Sequence, residues 1–158
     1  MRRHLLWLFA AVACGGGDDA SPSAAVVEVA PETLDPGRDD ADDLTLTVDY
    51  IDGDADLGGG IARVHDCRAD GVVVDLAIPL IASEEAVDEG VPIEGRLLLH
   101  VSDIGWIEPE ASPAPACADL GVEAIDPDQA VFCVVLVDAA SHAGDGDFSP
   151  PVSVVAAP

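Results

Sequence analysis

Three aspartates at alternate positions, Asp52, Asp54 and Asp56, are spaced as in loops that offer several carboxylate oxygens to one hard cation. Calcium is the cation such a loop would suit. The EF-hand pattern is not completed, because its sixth position wants Gly and holds Leu57, and its twelfth wants Glu and holds Arg63. A second acidic stretch, residues 138–147, contributes Asp138, Asp145 and Asp147. Without a cation, both stretches read as solvated acidic loops.

Other polar residues argue less for chemistry. His65-Asp66-Cys67 sets an imidazole, a carboxylate and a thiol in a row. Neighbours on a strand point to opposite faces, and a nucleophilic thiol needs its base in space rather than in sequence. His100 stands alone, and Ser141-His142 and Ser102-Asp103 lack the strand–turn–helix setting of a nucleophile elbow. Gly58-Gly59-Gly60 precedes a strand rather than a helix, so it is not a phosphate-binding loop. No hydrolase or other enzyme is expected from these residues.

The start of the chain carries a different signal. Met1-Arg2-Arg3-His4 is a short basic segment, and Leu5 to Cys14 is an apolar run closing on small residues. That order is the pattern of a secretory signal peptide, and the run falls short of the roughly 20 residues a membrane-spanning helix needs. Ala11-Val12-Ala13-Cys14 resembles the lipobox of bacterial lipoproteins, with Ala11 where Leu is usual. The resemblance implies cleavage before Cys14, diacylglycerol on its thiol and acylation of the new amine. Several acyl chains anchor a protein stably where one does so marginally. Gly15, next to Cys14, is not the Asp of a retention signal, which points to the outer membrane. The polar stretch after Cys14 reads as a flexible tether.

Removing residues 1–13 leaves 145 residues, enough for one domain with a sizeable core. Arg2 and Arg3 leave with them, which takes the formal charge from −25 to −27. Arg38, Arg63, Arg68 and Arg96 are then the remaining cations, and the chain has no Lys. Such a chain repels phosphate backbones, so nucleic acid is excluded as a partner. Anionic head groups repel it equally, so lipid rather than charge is left to hold it at a membrane. Disorder is also excluded, because mean hydropathy is +0.32 and Val, Leu and Ile cluster in short runs. The acids fall between those runs, mostly as turn-favouring Asp.

The runs read as seven strands. Val26 to Ala30 ends at Pro31, and Leu44, Leu46, Val48 and Tyr50 alternate with polar residues in a period of two. Ile61 to His65 follows, and Val72, Val74, Leu76, Ile78 and Leu80 share one face of the next strand. Leu97 to Val101, Val131 to Val137 and Val152 to Val155 complete the set. Ser83 to Ala86 can hold one helical turn, and residues 104–129 read as a long irregular connection. Trp106, the sole Trp beyond the signal, is expected to plug one end of the core or to stand exposed as a binding anchor. Scarce aromatics argue against a sugar-binding platform and against stacking on single-stranded nucleic acid.

Phe132 to Ser141, followed by Phe148-Ser149-Pro150-Pro151-Val152-Ser153-Val154, resembles the last hairpin of bacterial immunoglobulin-like domains. Tyr50 to Leu57 resembles the acidic turn after their second strand. The resemblance implies an all-β, two-sheet immunoglobulin-like sandwich over residues 26–158, preceded by a signal peptide at 1–13 and a lipidated linker at 14–25. The Cys…Trp…Cys core of antibody domains is missing, so a fibronectin III-like variant fits better. In that topology the loops after the second and sixth strands share one end, which would gather Asp138, Asp145 and Asp147 beside Asp52, Asp54 and Asp56 as a calcium site.

With Cys14 lipidated, Cys67, Cys117 and Cys133 cannot all pair. The short loop between them favours Cys117 with Cys133. The immunoglobulin-like topology instead places Cys67 near Cys133, with all three cysteines at one end. No CxxC pair supports zinc. The function expected is a non-catalytic, lipid-anchored binding or structural protein of the bacterial envelope, contacting an envelope or surface protein. The alternative is a calcium-stabilised adhesion or spacer module.

Overall fold

The computed structural model describes residues 21–36, 38, 41–69, 73–105, 115–119, 121–122, 125–126 and 128–155. The expected signal peptide, Cys14, the first part of the linker and Trp106 lie outside these residues. Within them the chain is all-β apart from two short helices.

The clean alternation over residues 44–50 becomes β3 (Leu44–Asp52), the middle strand of an antiparallel sheet between β1 (Ser23–Ala30) and β6 (Ile93–Val101). Leu44, Leu46, Val48 and Tyr50 face inward and are buried, as the period of two requires. Tyr50 lies opposite Gly95 on β6, and a Cβ at Gly95 would come within 3.0 Å of the tyrosine ring. The glycine gives the ring its place over bare backbone.

A second sheet runs β5 (Val73–Ala77), β4 (Ile61–Asp66), β8 (Phe132–Val137) and β9 (Asp147–Phe148), all antiparallel. A third sets β10 (Val152–Val154) between β2 (Thr33–Leu34), which is parallel to it, and β7 (Gln129–Ala130), which is antiparallel. These two sheets are continuous through the chain. Val131 alone separates β7 from β8, and Phe132 and Ser149 exchange hydrogen bonds across the gap. Phe132 N–H donates to Ser149 Oγ at 3.0 Å, and Ser149 N–H donates to the Phe132 carbonyl at 2.8 Å. Pro150 and Pro151 cannot donate to a ladder, so β9 and β10 are separate pieces.

Leu34, Leu46, Val48, Val64, Phe132 and Val152 belong to one buried cluster that draws on all three sheets. Two cross-strand ion pairs mark the outward faces, Arg96 with Asp49 at 2.6 Å and Arg63 with Asp75 at 2.8 Å. Both are well exposed, so they fix register more than they stabilise.

The expected strand over residues 72–80 is shorter than its apolar pattern. It ends at Ala77, and Leu80 is 84% exposed rather than inward. Ile78 N–H donates to the Gly60 carbonyl and Gly59 N–H donates to the Ile78 carbonyl, each at 3.0 Å, which carries the pairing with β4 one residue further, and Pro79 has no N–H to continue it. The helical turn expected at Ser83 is α1 (Glu84–Glu89). Ser83 caps it by accepting from Ala86 N–H, and Gly90 closes it in the left-handed conformation. Residues 104–129 contain a second short helix, α2 (Pro115–Ala118).

Gly60 sits where two loops press together. A Cβ there would overlap the Val137 carbonyl oxygen and lie 2.9 Å from the Asp138 backbone. Backbone cannot rotate away as a side chain can, so Gly60→Ala is expected to cost at least ~2 kcal/mol. Urea unfolding of the two proteins measures the difference, and an unchanged midpoint would show that the strands separate freely.

Candidate functional site

Asp52 is the last residue of β3, and it continues the inward alternation of that strand, so a carboxylate points where apolar residues point before it. It is wholly buried. One oxygen, Oδ2, accepts from Leu57 N–H at 2.9 Å. That bond folds residues 53–56 into a tight excursion and sends Leu57, itself wholly buried, back into the core. Within the excursion Ala55 is left-handed, with φ 66°. Ala139 N–H donates to the Asp56 carbonyl at 3.1 Å and ties the excursion to the chain leaving β8.

The result is a convergence of Asp52, Asp54 and Asp56. One carboxylate oxygen from each lies within 4.8 Å of the others. Burial raises the Asp52 carboxyl above the usual range, and the Asp54 and Asp138 charges add to the shift while the Leu57 N–H opposes it. Asp56 is pushed up to about 6, by burial first, then by its contact with Asp54 and by the charges of Asp138, Asp54 and Asp52. Apart from the Leu57 N–H, each of these causes penalises the charged form of a carboxylate in this crowded group.

The other three expected members are placed differently. Asp138 is buried beside the group, but its carboxylate is engaged by His142, whose backbone N–H donates at 2.8 Å and whose Nδ1 lies at 3.1 Å. Asp145 is exposed and outside the convergence. Asp147 lies on β9 opposite Val134 and accepts from Val26 N–H at 2.8 Å. The two loops therefore touch, and among the described residues three of the six aspartates converge.

The opposite end of β4 holds a different buried charge. Asp66 and Arg68 are 4% and 2% exposed. Arg68 donates to Asp66 from its backbone N–H at 3.0 Å, from Nε at 3.0 and 3.2 Å, and from Nη2 at 2.6 Å. Here the chain supplies its own cation.

The same end gathers the cysteines. Cys67, Cys117 and Cys133 form a second buried cluster with Val131. The expected Cys117–Cys133 bond is not made. The disulfide joins Cys67 to Cys117 across 50 residues, with Cα atoms 5.7 Å apart, and Cys133 is free and buried. Loop length in sequence, which favoured Cys133, is overruled by placement. Cys67 N–H donates to the Val131 carbonyl at 2.9 Å, which holds Cys67 beside the start of β8, and α2 brings Cys117 over it. Closing a loop of that span contributes about 4 kcal/mol in the chain-entropy account. Burial, with a smaller contribution from Asp147, raises the Cys133 thiol to about 11. The His65-Asp66-Cys67 run is thus committed, its carboxylate to Arg68 and its sulfur to Cys117.

No family model, no curated protein and no solved structure matches the chain.

Two outcomes follow from these buried groups. Iodoacetamide at pH 8 is expected to leave Cys133 unmodified in the folded protein and to alkylate it in denaturant, with Cys67 and Cys117 recovered as one linked peptide by mass spectrometry. Removing the carboxylate in Asp66→Ala strands the Arg68 guanidinium in the core and should cost about 3–5 kcal/mol in urea unfolding. Adding Arg68→Met to that variant is expected to recover much of the loss.

Proposed function

We propose that the chain is an exported, lipid-anchored module that presents a non-catalytic binding or spacing surface at the bacterial envelope. The observation that carries this reading is how the cysteines are used. Cys67 and Cys117 are joined and Cys133 is buried, so Cys14 is the one thiol left for the lipid that its lipobox-like context calls for. A disulfide between residues 50 apart fits an oxidising compartment, which export through the signal would reach.

The strand arrangement supports an immunoglobulin-like sandwich as the body of the module. Constant-type immunoglobulin domains keep their first, second, fourth and fifth strands in one sheet and their third, sixth and seventh in the other, whereas here the fourth long strand, β5, lies beside β4. Here β1, β3 and β6 share a sheet, while β4 and β8 share another that continues through β9 and Ser149 to β10. Acidic loops at the ends of the strands, with no Lys in the chain, make a strongly negative surface for an envelope or surface protein.

Membrane fractionation of the native and Cys14→Ser chains in a bacterial host tests the anchor. The native chain is expected in the membrane fraction, labelled by radioactive palmitate, and the variant in the soluble fraction without label. An unlabelled native chain that fractionates as soluble would overturn the lipid-anchored reading.

A further inference from the structure

We propose that Asp52, Asp54 and Asp56 form a binding site for a calcium ion at the end of β3. The convergence of three carboxylates is one observation. A cation with oxygens at 2.3–2.6 Å can touch all three only if those oxygens lie within about 5 Å of one another, and they lie within 4.8 Å. The second observation is independent of the clustering. Asp52 is wholly buried, yet its Oδ1 has no hydrogen-bond partner, and the buried Oδ1 atoms of Asp54 and Asp56 have none either. Buried carboxylate oxygens without donors are costly, and native proteins rarely leave them so. Each of the three converging side chains thus carries a buried oxygen with no donor, and a cation held among them would supply the missing positive charge.

The donor set selects the ion class. All three ligands are carboxylates, with no imidazole nitrogen or thiolate in the group, which favours a hard cation over zinc or copper. Among the described residues Arg63, Arg68 and Arg96 are engaged elsewhere, with Asp75, Asp66 and Asp49. Asp54 and Asp56 are only partly buried, so water can complete the coordination sphere. An irregular loop open to water suits the variable coordination of calcium better than the strict octahedron of magnesium. Asp138 stays with His142 and adds negative field without acting as a ligand. The site would stiffen the junction between the loop after β3 and the loop after β8. The proposal does not depend on the lipid anchor and fails or stands separately from it.

The full chain, purified in detergent and stripped with EDTA, is titrated with calcium chloride in a calorimeter at about 0.15 M KCl, which screens diffuse binding to an acidic surface. One ion per chain is expected, with a melting temperature raised by about 5 °C at ten times Kd. The double variant Asp54→Asn/Asp56→Asn keeps Asp52 and its bond to Leu57, so circular dichroism should report a folded chain. Its calcium affinity is expected to fall at least tenfold, roughly the loss of two charged ligands. Folded native chain that gives neither heat nor a melting shift up to about 10 mM calcium would overturn the proposal. Undiminished binding by the double variant would overturn it too, because the ion would then sit elsewhere.

Discussion

The contact between the Gly60 backbone and the Val137–Asp138 backbone is the constraint from which most of the structure's acidic end follows. It can form only because residue 60 has no Cβ. It brings the entry of β4 against the exit of β8, which starts their antiparallel pairing at Ile61 and Val137. Once that pairing is set, Val64 and Val134, then Ala62 and Leu136, fall inward as partners without further instruction. The same contact draws the Asp52 loop over the loop after β8, so that Ala139 can donate to the Asp56 carbonyl. A glycine required by backbone packing thus lies beside the loop that carries the converging carboxylates.

The two ends of β4 treat buried acid in opposite ways. At the Asp66 end, Arg68 returns within two residues to neutralise the carboxylate with a fork of hydrogen bonds, and the nearby disulfide closes that end covalently. At the Ile61 end, Asp52 has one backbone donor and two acidic neighbours, and burial first, then the charges around it, raise its carboxyl rather than lower it. A buried ion pair is weak evidence for stability, because its desolvation offsets much of its attraction. It does fix geometry. Repulsion among three aspartates has no such compensation from within the group, so the loop that holds them must be held by other contacts. Leu57 in the core and the hydrogen bonds from Leu57 and Ala139 are those contacts.

Much of the strand pattern was legible in the sequence because it rests on period-two burial, which is a local property. The inward row of β3 is the clearest case, and the same row explains Asp52, since counting on by two from Tyr50 lands on it. Reading Asp52 as part of a solvated loop followed its chemistry instead of its parity. The pieces that were not legible depend on distant partners. β2 and β9 are two residues each and exist because β10 and β8 lie beside them. The apolar pattern through Leu80 continues past the strand because the partner, β4, begins at Ile61 after Gly58-Gly59-Gly60, and Pro79 has no N–H to carry the pairing on. The Asp66–Arg68 pair has a sequence signal in its spacing, but burial is what gives it meaning.

The cysteines show the same division between local and distant information. A short span between Cys117 and Cys133 suggests easy closure in an unfolded chain, where loop entropy governs encounters. In the folded chain the governing quantity is where the Cα atoms stand, and the β4–β8 ladder with the Cys67–Val131 hydrogen bond sets the place of Cys67. Cys133, one residue into β8, faces the same cluster but is left without a partner. Its burial and raised thiol make it inert toward exchange, since only the thiolate attacks a disulfide. A neighbouring free thiol would ordinarily threaten the Cys67–Cys117 bond with reshuffling. Holding that thiol protonated in the core is therefore part of what keeps the pairing single.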